Sequence, residues 1–322
     1  MSLLKKIKYF LTDTGIEKSI LPFYNNYFPQ KNQTGGSSEG KYVAHIFLLQ
    51  TYFLKVKNVD RTNSINFKSV CEFGPGDSVA IGLLYMIIYK SEYIAFDAHP
   101  YLDESISLMA CRKALKYLKK IDSLESLSHL LESNRFNESI DLKGLFDYLE
   151  EELLTKIRSV SDEDVKNALS EIKYFAPYDL DDHQMKYRFD LIYSQAVLEH
   201  CDNLSEIYNF QKSNLSEYGI SYNHIDFKSH GTSFRWNGQY GLSNKVYKSL
   251  EKSNTFQWIN RMPISHHEYL IKKEGLNLFD IIKFKLSDGI SMESVSEDMK
   301  PFVRDSEDLN THSSIVMSTR YF

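Results

Sequence analysis

Val70-Cys71-Glu72-Phe73-Gly74-Pro75-Gly76-Asp77-Ser78 is the stretch on which the reading of this chain turns. Ser69 to Phe73 is short, apolar and β-prone, and it runs straight into Gly74-Pro75-Gly76. Val79 to Tyr89 follows, apolar on nearly all sides, as expected of a helix buried against a sheet. A strand, a glycine turn and a helix together make a cradle. The glycines let a ligand approach the backbone, and the helix N-terminus offers free N–H groups. About twenty residues further on, a second strand, Tyr93 to Phe96, ends at Asp97, where a carboxylate can accept hydrogen bonds from both hydroxyls of a ribose.

The residues around the turn narrow the ligand. A dinucleotide fingerprint wants a third glycine near Val79, and none is there. No Gly-Lys-Ser/Thr follows, so a phosphate-binding loop fails as well. Glu72 before the first glycine and Asp77 after the second would repel a pyrophosphate. They suit a cation such as an α-amino group or a sulfonium.

Working outward, Phe189 to Tyr193 and Gly219 to Ile225 read as further strands, and the strand–helix alternation implies a mostly parallel sheet covered on both faces. From about Asp103 to Glu171 the pattern is helical, Leu-rich and charged, with no strand signal, and it reads as a helical insertion after the second strand. Leu278 to Leu286 and Ser313 to Arg320 read as two closing strands. The long polar stretch Ser287 to Asn310 joins them, a length uncommon in a compact domain and often functional or mobile. Upstream, Met1 to Leu11 is basic and apolar. It reads as an amphipathic helix packed on the domain, with peripheral membrane contact as the alternative, and its apolar run is too short for a signal-peptide core or a membrane span. Lys31 to Gly40 reads as a loop and Tyr42 to Val56 as a helix. Residues 1–66 are thus expected to form a helical arm, and 67–322 the main domain with its insertion at about 103–171.

Composition agrees with an ordinary soluble protein. The 322 residues are 42% hydrophobic and 25% charged, close to ordinary soluble proteins, and a chain of this length needs no disulfide or metal staple. A net charge of -5 argues against a generic nucleic-acid coat. Cys71, Cys111 and Cys201 form no CxxC pair. A sparse, odd count suits a reducing compartment, so a cytoplasmic location is expected.

Glu72 through Ser78 resembles the first motif of class I S-adenosylmethionine-dependent methyltransferases. Phe189-Asp190-Leu191-Ile192-Tyr193-Ser194-Gln195-Ala196-Val197-Leu198-Glu199-His200 is similar to that family's fourth-strand motif. The resemblance covers about residues 68–100 and 174–230 and the two closing strands. It implies a Rossmann-like, seven-stranded, mostly parallel sheet whose last two strands pair antiparallel, with S-adenosyl-L-methionine as cofactor. The implied cofactor residues are Glu72, Gly74, Gly76, Asp77, Ser78, the ribose ligand Asp97, Asp179 near the adenine by a loose match, and Ser194 at the end of the fourth strand.

For the methyl acceptor the residues leave alternatives open. An alcohol must lose a proton, so a base or a metal is expected beside it. His224-Ile225-Asp226 and His230 follow the fifth strand, where ligands sit in an open α/β sheet. If residues 224–226 stay extended, His224 and Asp226 share a face. The group could supply a general base, with His230 preferred over His224, or a divalent-metal site; no metal ligand is assigned. His200 faces either the acceptor or a structural hydrogen bond. Thr232 to Tyr240 is dense in aromatic and amide groups, and Arg235 and Trp236 there are candidate contacts to a sugar and its anionic groups. Arg261 is a second candidate anion contact. His266-His267 lies on a helix, where adjacent residues do not share a face and make a poor metal pair. More distantly, His224 to Tyr240 resembles bacterial methyltransferases associated with cell-surface glycan synthesis, which implies a sugar or glycan hydroxyl as acceptor. Another small molecule, a protein, or a non-catalytic role as a cofactor-binding partner subunit remain the other readings. Nucleic acid is not expected.

Overall fold

The computed structural model describes residues 3–13, 16, 20, 39–56, 67–131, 140–179, 187–252, 258–320. Most of the Lys31 to Gly40 loop lies outside them. Seven strands form one sheet in the order β3-β2-β1-β4-β5-β7-β6. They are β1 (Ser69–Phe73), β2 (Glu92–Phe96), β3 (Lys173–Phe175), β4 (Phe189–Gln195), β5 (Leu215–Asp226), β6 (Asn277–Lys285) and β7 (Thr311–Thr319). This is the Rossmann-like sheet that the sequence implied.

The chain falls into two compact units. One comprises residues 34–195, 210–222 and 319–322. At its centre β1 pairs in parallel with both β2 and β4, so Cys71 lies between Ile94 and Ile192. All three are buried, and parallel strands covered on both faces read as apolar runs for that reason. The helix Ala80–Tyr89 is buried on nearly every side, as its composition demands, and ends at Lys90 in the left-handed conformation. Gly82 sets how closely it packs: a Cβ there would overlap the Tyr93 ring of β2.

The insertion is helical as expected, with helices over Glu104–Leu118, Leu124–Leu131, Leu142–Tyr148, Leu154–Ser159 and Asp162–Glu171. Its leucines are the reason it folds: Leu118, Leu127, Leu131, Leu145, Leu149 and Leu153 are all buried. Local signals delimit its helices. The Asp103 carboxylate accepts from the amides of Ser105 and Ile106, and Ser161 with Asp164 forms a reciprocal capping box. The short β3, which no strand signal announced, follows at once and pairs with β2 through Ile94, Ala95 and Phe96.

The other unit comprises residues 1–33, 196–209 and 223–318. Two bonds give β7 its direction. Phe227, just after β5, donates to the His312 carbonyl, and Leu286, just after β6, donates to the Asn310 carbonyl. The start of β7 therefore meets the ends of both neighbours, which makes it antiparallel to them. The stretch Ser287 to Asn310 is not the loose loop its polarity suggested. Val295, Met299, Val303 and Leu309 bury themselves around Tyr240, and Asp305 caps a short helix over Ser306–Asn310. The N-terminal helix Leu3–Asp13 belongs to this unit: the Tyr9 hydroxyl donates to Asp288 at 2.9 Å, while Ile7 and Phe10 stay exposed. Among the described residues, no helix is long and apolar enough to cross a membrane.

Candidate active site

The glycine turn is held open by its backbone. Gly74 and Gly76 have φ of 65° and 69°, a left-handed conformation that costs other L-residues roughly 1–2 kcal/mol. The Gly74 amide donates to the Phe96 carbonyl at 2.8 Å, which ties the turn to β2. One Asp97 oxygen accepts from the Gly76 amide at 3.0 Å, and the other from the His99 amide at 3.3 Å. Among the described residues, apart from its chain neighbours, nothing lies within 4 Å of the point where a Gly76 side chain would begin, so the turn borders open room. Burial raises the Asp97 carboxyl above its ordinary range, and the amides of Gly76, His99 and Ala98 draw it back.

Glu72 sits beneath the turn rather than in it. It is 3% exposed, and one carboxylate oxygen accepts from the hydroxyls of Tyr193, at 2.6 Å, and of Tyr93. Burial pushes its carboxyl up to about 7, against the pull of the two tyrosines. Ser78 is buried and its Oγ accepts from the Ala80 amide at the first residue of the helix. The Asp77 carbonyl accepts from the Asp103 amide. Ser194 is fully buried on β4 beside Phe73. The segment after β3 runs along Asp97: the Asp97 amide donates to the Phe175 carbonyl and the Tyr178 amide to the Asp97 carbonyl. Asp179 follows on the exposed surface.

The other unit gathers a second constellation. After β4 the chain turns at Ala196, with φ of 54°, into a single 3₁₀ turn, Leu198–His200. The Asn260 side chain pins this turn by donating to the carbonyls of Leu198 and Cys201 at 2.7 and 2.9 Å. Glu199, His200 and His230 each offer a ligand atom, and these atoms all lie within 4.8 Å of one another. The two imidazole rings are 5.1 Å apart at 75°. Asp226 flanks them, 3.8 Å from His230 Nε2, and is gripped by Lys228 through its amide and its ammonium at 2.9 and 2.7 Å. Burial would raise the Asp226 carboxyl, but the charges of Lys228 and His230 hold it below its usual range.

His200 Nδ1 lies 2.5 Å from the Trp258 carbonyl. A carbonyl only accepts, so Nδ1 carries the proton and Nε2 keeps its lone pair. Burial lowers this histidine to about 4, which keeps it neutral. Glu199 is 3% exposed, and among the described residues neither carboxylate oxygen has a well-formed hydrogen bond. Burial first, and the Asp226 charge second, push its carboxyl well above the ordinary range, while the amides of Glu199 and Asp226 moderate the effect.

Not every expected residue joins this group. His224 and Asp226 do share a half-buried face of β5, but His224 stands outside the three mutually close ligand atoms. Arg235 is engaged by its own unit: it donates to the carbonyls of Asp288 and Gly289 and lies 4.2 Å over the Tyr9 ring. Arg261 is buried, donates to the carbonyls of Leu242 and Gln239 and covers the Tyr247 ring, so it is a strut and not an anion contact. Trp236 is half-buried, with its indole N–H enclosed and, among the described residues, lacking an acceptor. The segment around it is a folded plug and not a surface loop: Asn237 donates to the Leu309 carbonyl and Gln239 to that of Phe227. His267 is buried against the Tyr208 hydroxyl at 2.8 Å. Sequence reasoning passed over Glu199 and Asn260. Glu199 stood beside His200 in the quoted motif, whereas Asn260 carried no signal.

The chain matches no protein-family model and none of the curated proteins. Among solved structures it resembles a putative sarcosine dimethylglycine methyltransferase from Galdieria sulphuraria, at 8% identity over 85% of this chain and 87% of that one, with a TM-score of 0.43. It also resembles phosphoethanolamine N-methyltransferase 2 from Haemonchus contortus in complex with S-adenosyl-L-methionine, at 11% identity, 87% and 56% coverage and a TM-score of 0.39. A third likeness is to the CurJ carbon methyltransferase, at 9% identity and a TM-score of 0.37, of which the chain covers 54%. Superpositions this loose assign no activity, and the site's own residues carry the reading that follows.

Proposed function

We propose that this chain is an S-adenosylmethionine-dependent methyltransferase that methylates a hydroxyl of a sugar or glycan intermediate. One observation carries the cofactor assignment. A buried carboxylate, Asp97, stands at the end of β2 beside a left-handed glycine turn that borders open room at the end of the adjacent parallel β1. Ligands of open α/β sheets bind at such strand ends. Asp97 accepts from the ribose hydroxyls, and the backbone of Gly74 and Gly76 gives close approach. The acid at Asp77 suits the cationic end of the ligand. Glu72 and Ser78 hold the turn from behind. The cofactor supplies a methyl group on a sulfonium, already activated for displacement, so the protein's work is to orient the acceptor and relieve it of its proton.

The constellation Glu199–His200–Asp226–His230 supports a hydroxyl acceptor, since an amine or a thiol needs less help with its proton. The sugar assignment draws on the resemblance of residues 224–240 to methyltransferases of surface-glycan synthesis.

The test is a calorimetric titration of the full chain with S-adenosylmethionine, with NAD as control. Saturable binding of the former alone is expected, and Asp97→Ala should weaken it by ~0.5–1.5 kcal/mol for each hydrogen bond lost. Binding of neither overturns the cofactor reading, and equal binding by the variant overturns the role given to Asp97. With a labelled methyl donor, His230→Ala should slow transfer to sugar acceptors by about 10²–10⁴-fold. Cofactor binding without transfer to any acceptor would mark a non-catalytic partner subunit.

A further inference from the structure

Glu199 poses a physical problem that hydroxyl chemistry alone does not answer. A buried carboxyl without a well-formed hydrogen bond costs folding free energy, yet the chain pins it in place from both sides. The Glu199 carbonyl accepts from the Asn260 amide, and the Asn260 side chain holds the carbonyls of Leu198, at the start of the 3₁₀ turn, and Cys201, just past its end. The carboxylate is kept beside two imidazoles.

We propose that Glu199, His200 and His230 bind a divalent transition-metal ion and leave coordination positions open for an oxygen of the acceptor. Four observations on the page converge on this. The three donor atoms are mutually within 4.8 Å, so small adjustments bring them around an ion whose bonds are about 2.0–2.2 Å long. His200 has the protonation pattern of a ligand: its Nδ1–H is spent on the Trp258 carbonyl, so Nε2 has its lone pair free to coordinate. Metal-bound histidines almost always donate their other ring N–H in this way. Glu199 is a buried carboxylate lacking a well-formed partner, beside both imidazoles. His230 is held in the left-handed region, with φ of 45°, next to Gly231 at 89°. That is a costly conformation of the kind that persists at functional sites when the surroundings enforce it.

The donor set chooses the ion. Two imidazoles and one carboxylate suit a transition ion such as Zn²⁺ or Fe²⁺, whereas Mg²⁺ and Ca²⁺ prefer all-oxygen shells. Three protein ligands also leave room for a further one, the pattern of catalytic rather than structural sites. A hydroxyl bound there would ionise more readily, by the same polarisation that lowers the pKa of metal-bound water. His230 then serves as a ligand and not as a free base, and Asp226, on its Lys228 clamp, is the basic group left beside it. This role for the ion rests on the methyltransferase reading; the binding itself does not.

The experiment uses the full chain, freed of metal by chelation and titrated with Co²⁺ while its visible absorption is followed. Zn²⁺ serves as competitor and Mg²⁺ as control. A single equivalent of Co²⁺ should bind, be displaced by Zn²⁺ and ignore Mg²⁺. Glu199→Gln and His230→Asn should each weaken Co²⁺ binding at least about 10- to 100-fold, the loss typical even of outer-shell partners. Asparagine tolerates the left-handed backbone at position 230, and a circular dichroism spectrum and thermal melt like the parent's certify that a variant is folded. Absence of saturable Co²⁺ uptake by a chain that still binds S-adenosylmethionine overturns the metal site and leaves the methyltransferase reading standing. Undiminished Co²⁺ affinity in both variants also overturns it. Co²⁺ binding lost in the variants, in a chain that does not bind S-adenosylmethionine, upholds the site and removes the methyltransferase reading.

Discussion

Glu72 shows how one side chain reports on its surroundings. As a residue type, an acid before the glycine turn suggested a partner for the cationic end of a ligand. In the fold it is buried under the hydroxyls of Tyr93 and Tyr193, and burial pushes its carboxyl up from the usual 4.5 to about 7. The sign of the consequence follows. Between these two values the folded chain keeps a proton that the unfolded chain has lost, so stability falls as pH rises through the window. The full cost above pH 7 is about 3 kcal/mol. Glu72→Gln still accepts from the tyrosines and has no charge to bury. Urea unfolding at pH 5 and pH 8 should therefore show a smaller drop in stability for this variant than for the parent, and equal drops would mean that Glu72 is not the group responsible. Asp97 is the opposite case, because its place at the end of β2 was plain from spacing alone. Arg235 and Arg261 marked the limit of residue type, since their guanidiniums are turned to backbone carbonyls and tyrosine rings of their own unit.

At the scale of elements, period and punctuation were enough wherever a segment was long or sharply ended. β1 lies where its apolar residues and the following glycines put it, and the buried helix after it begins within one residue of its expected start. β3 was invisible because three residues, one exposed and two half-buried, cannot display an alternation. Its existence depends on pairing with β2. The packing of the helix Ala80–Tyr89 on β2 depends on Gly82, whose missing side chain makes room for the Tyr93 ring. Gly82→Ala should raise helix propensity yet destabilise the chain by about 1–3 kcal/mol through overpacking, and it should loosen Tyr93 from Glu72. Thermal unfolding decides this prediction: a Tm equal to or above the parent's would show that the helix can shift to absorb a methyl group.

At the scale of the whole molecule, burial of titratable groups predicts the acid limit of stability. His267 is sealed against Tyr208 and held down to about 3, and burial lowers His45 to about 4. Below pH 6.5 the unfolded chain takes up protons that these folded histidines refuse. Stability is therefore lost as pH falls through the window from 6.5 down to 3 or 4. His267→Asn keeps a hydrogen-bonding atom for Tyr208 without a titrating ring, and its acid unfolding should begin at lower pH than the parent's. An unchanged acid midpoint, followed by circular dichroism, would place the responsible proton uptake elsewhere. What the amino-acid order determined by itself was local. The glycine turn, its strand and helix, the acid at the next strand end, the leucine-rich helices and the motif leading to Glu199 and His200 are all written in neighbouring residues, where apolar period and backbone freedom act. Tertiary structure alone decided which distant side chains meet. It drew Glu199, His200 and His230 together, left His224 aside, buried the polar stretch 287–310 around Tyr240 and engaged the arginines. Such choices depend on which groups lose water together and which hydrogen bonds remain to compensate them, and that is settled only when separate segments pack.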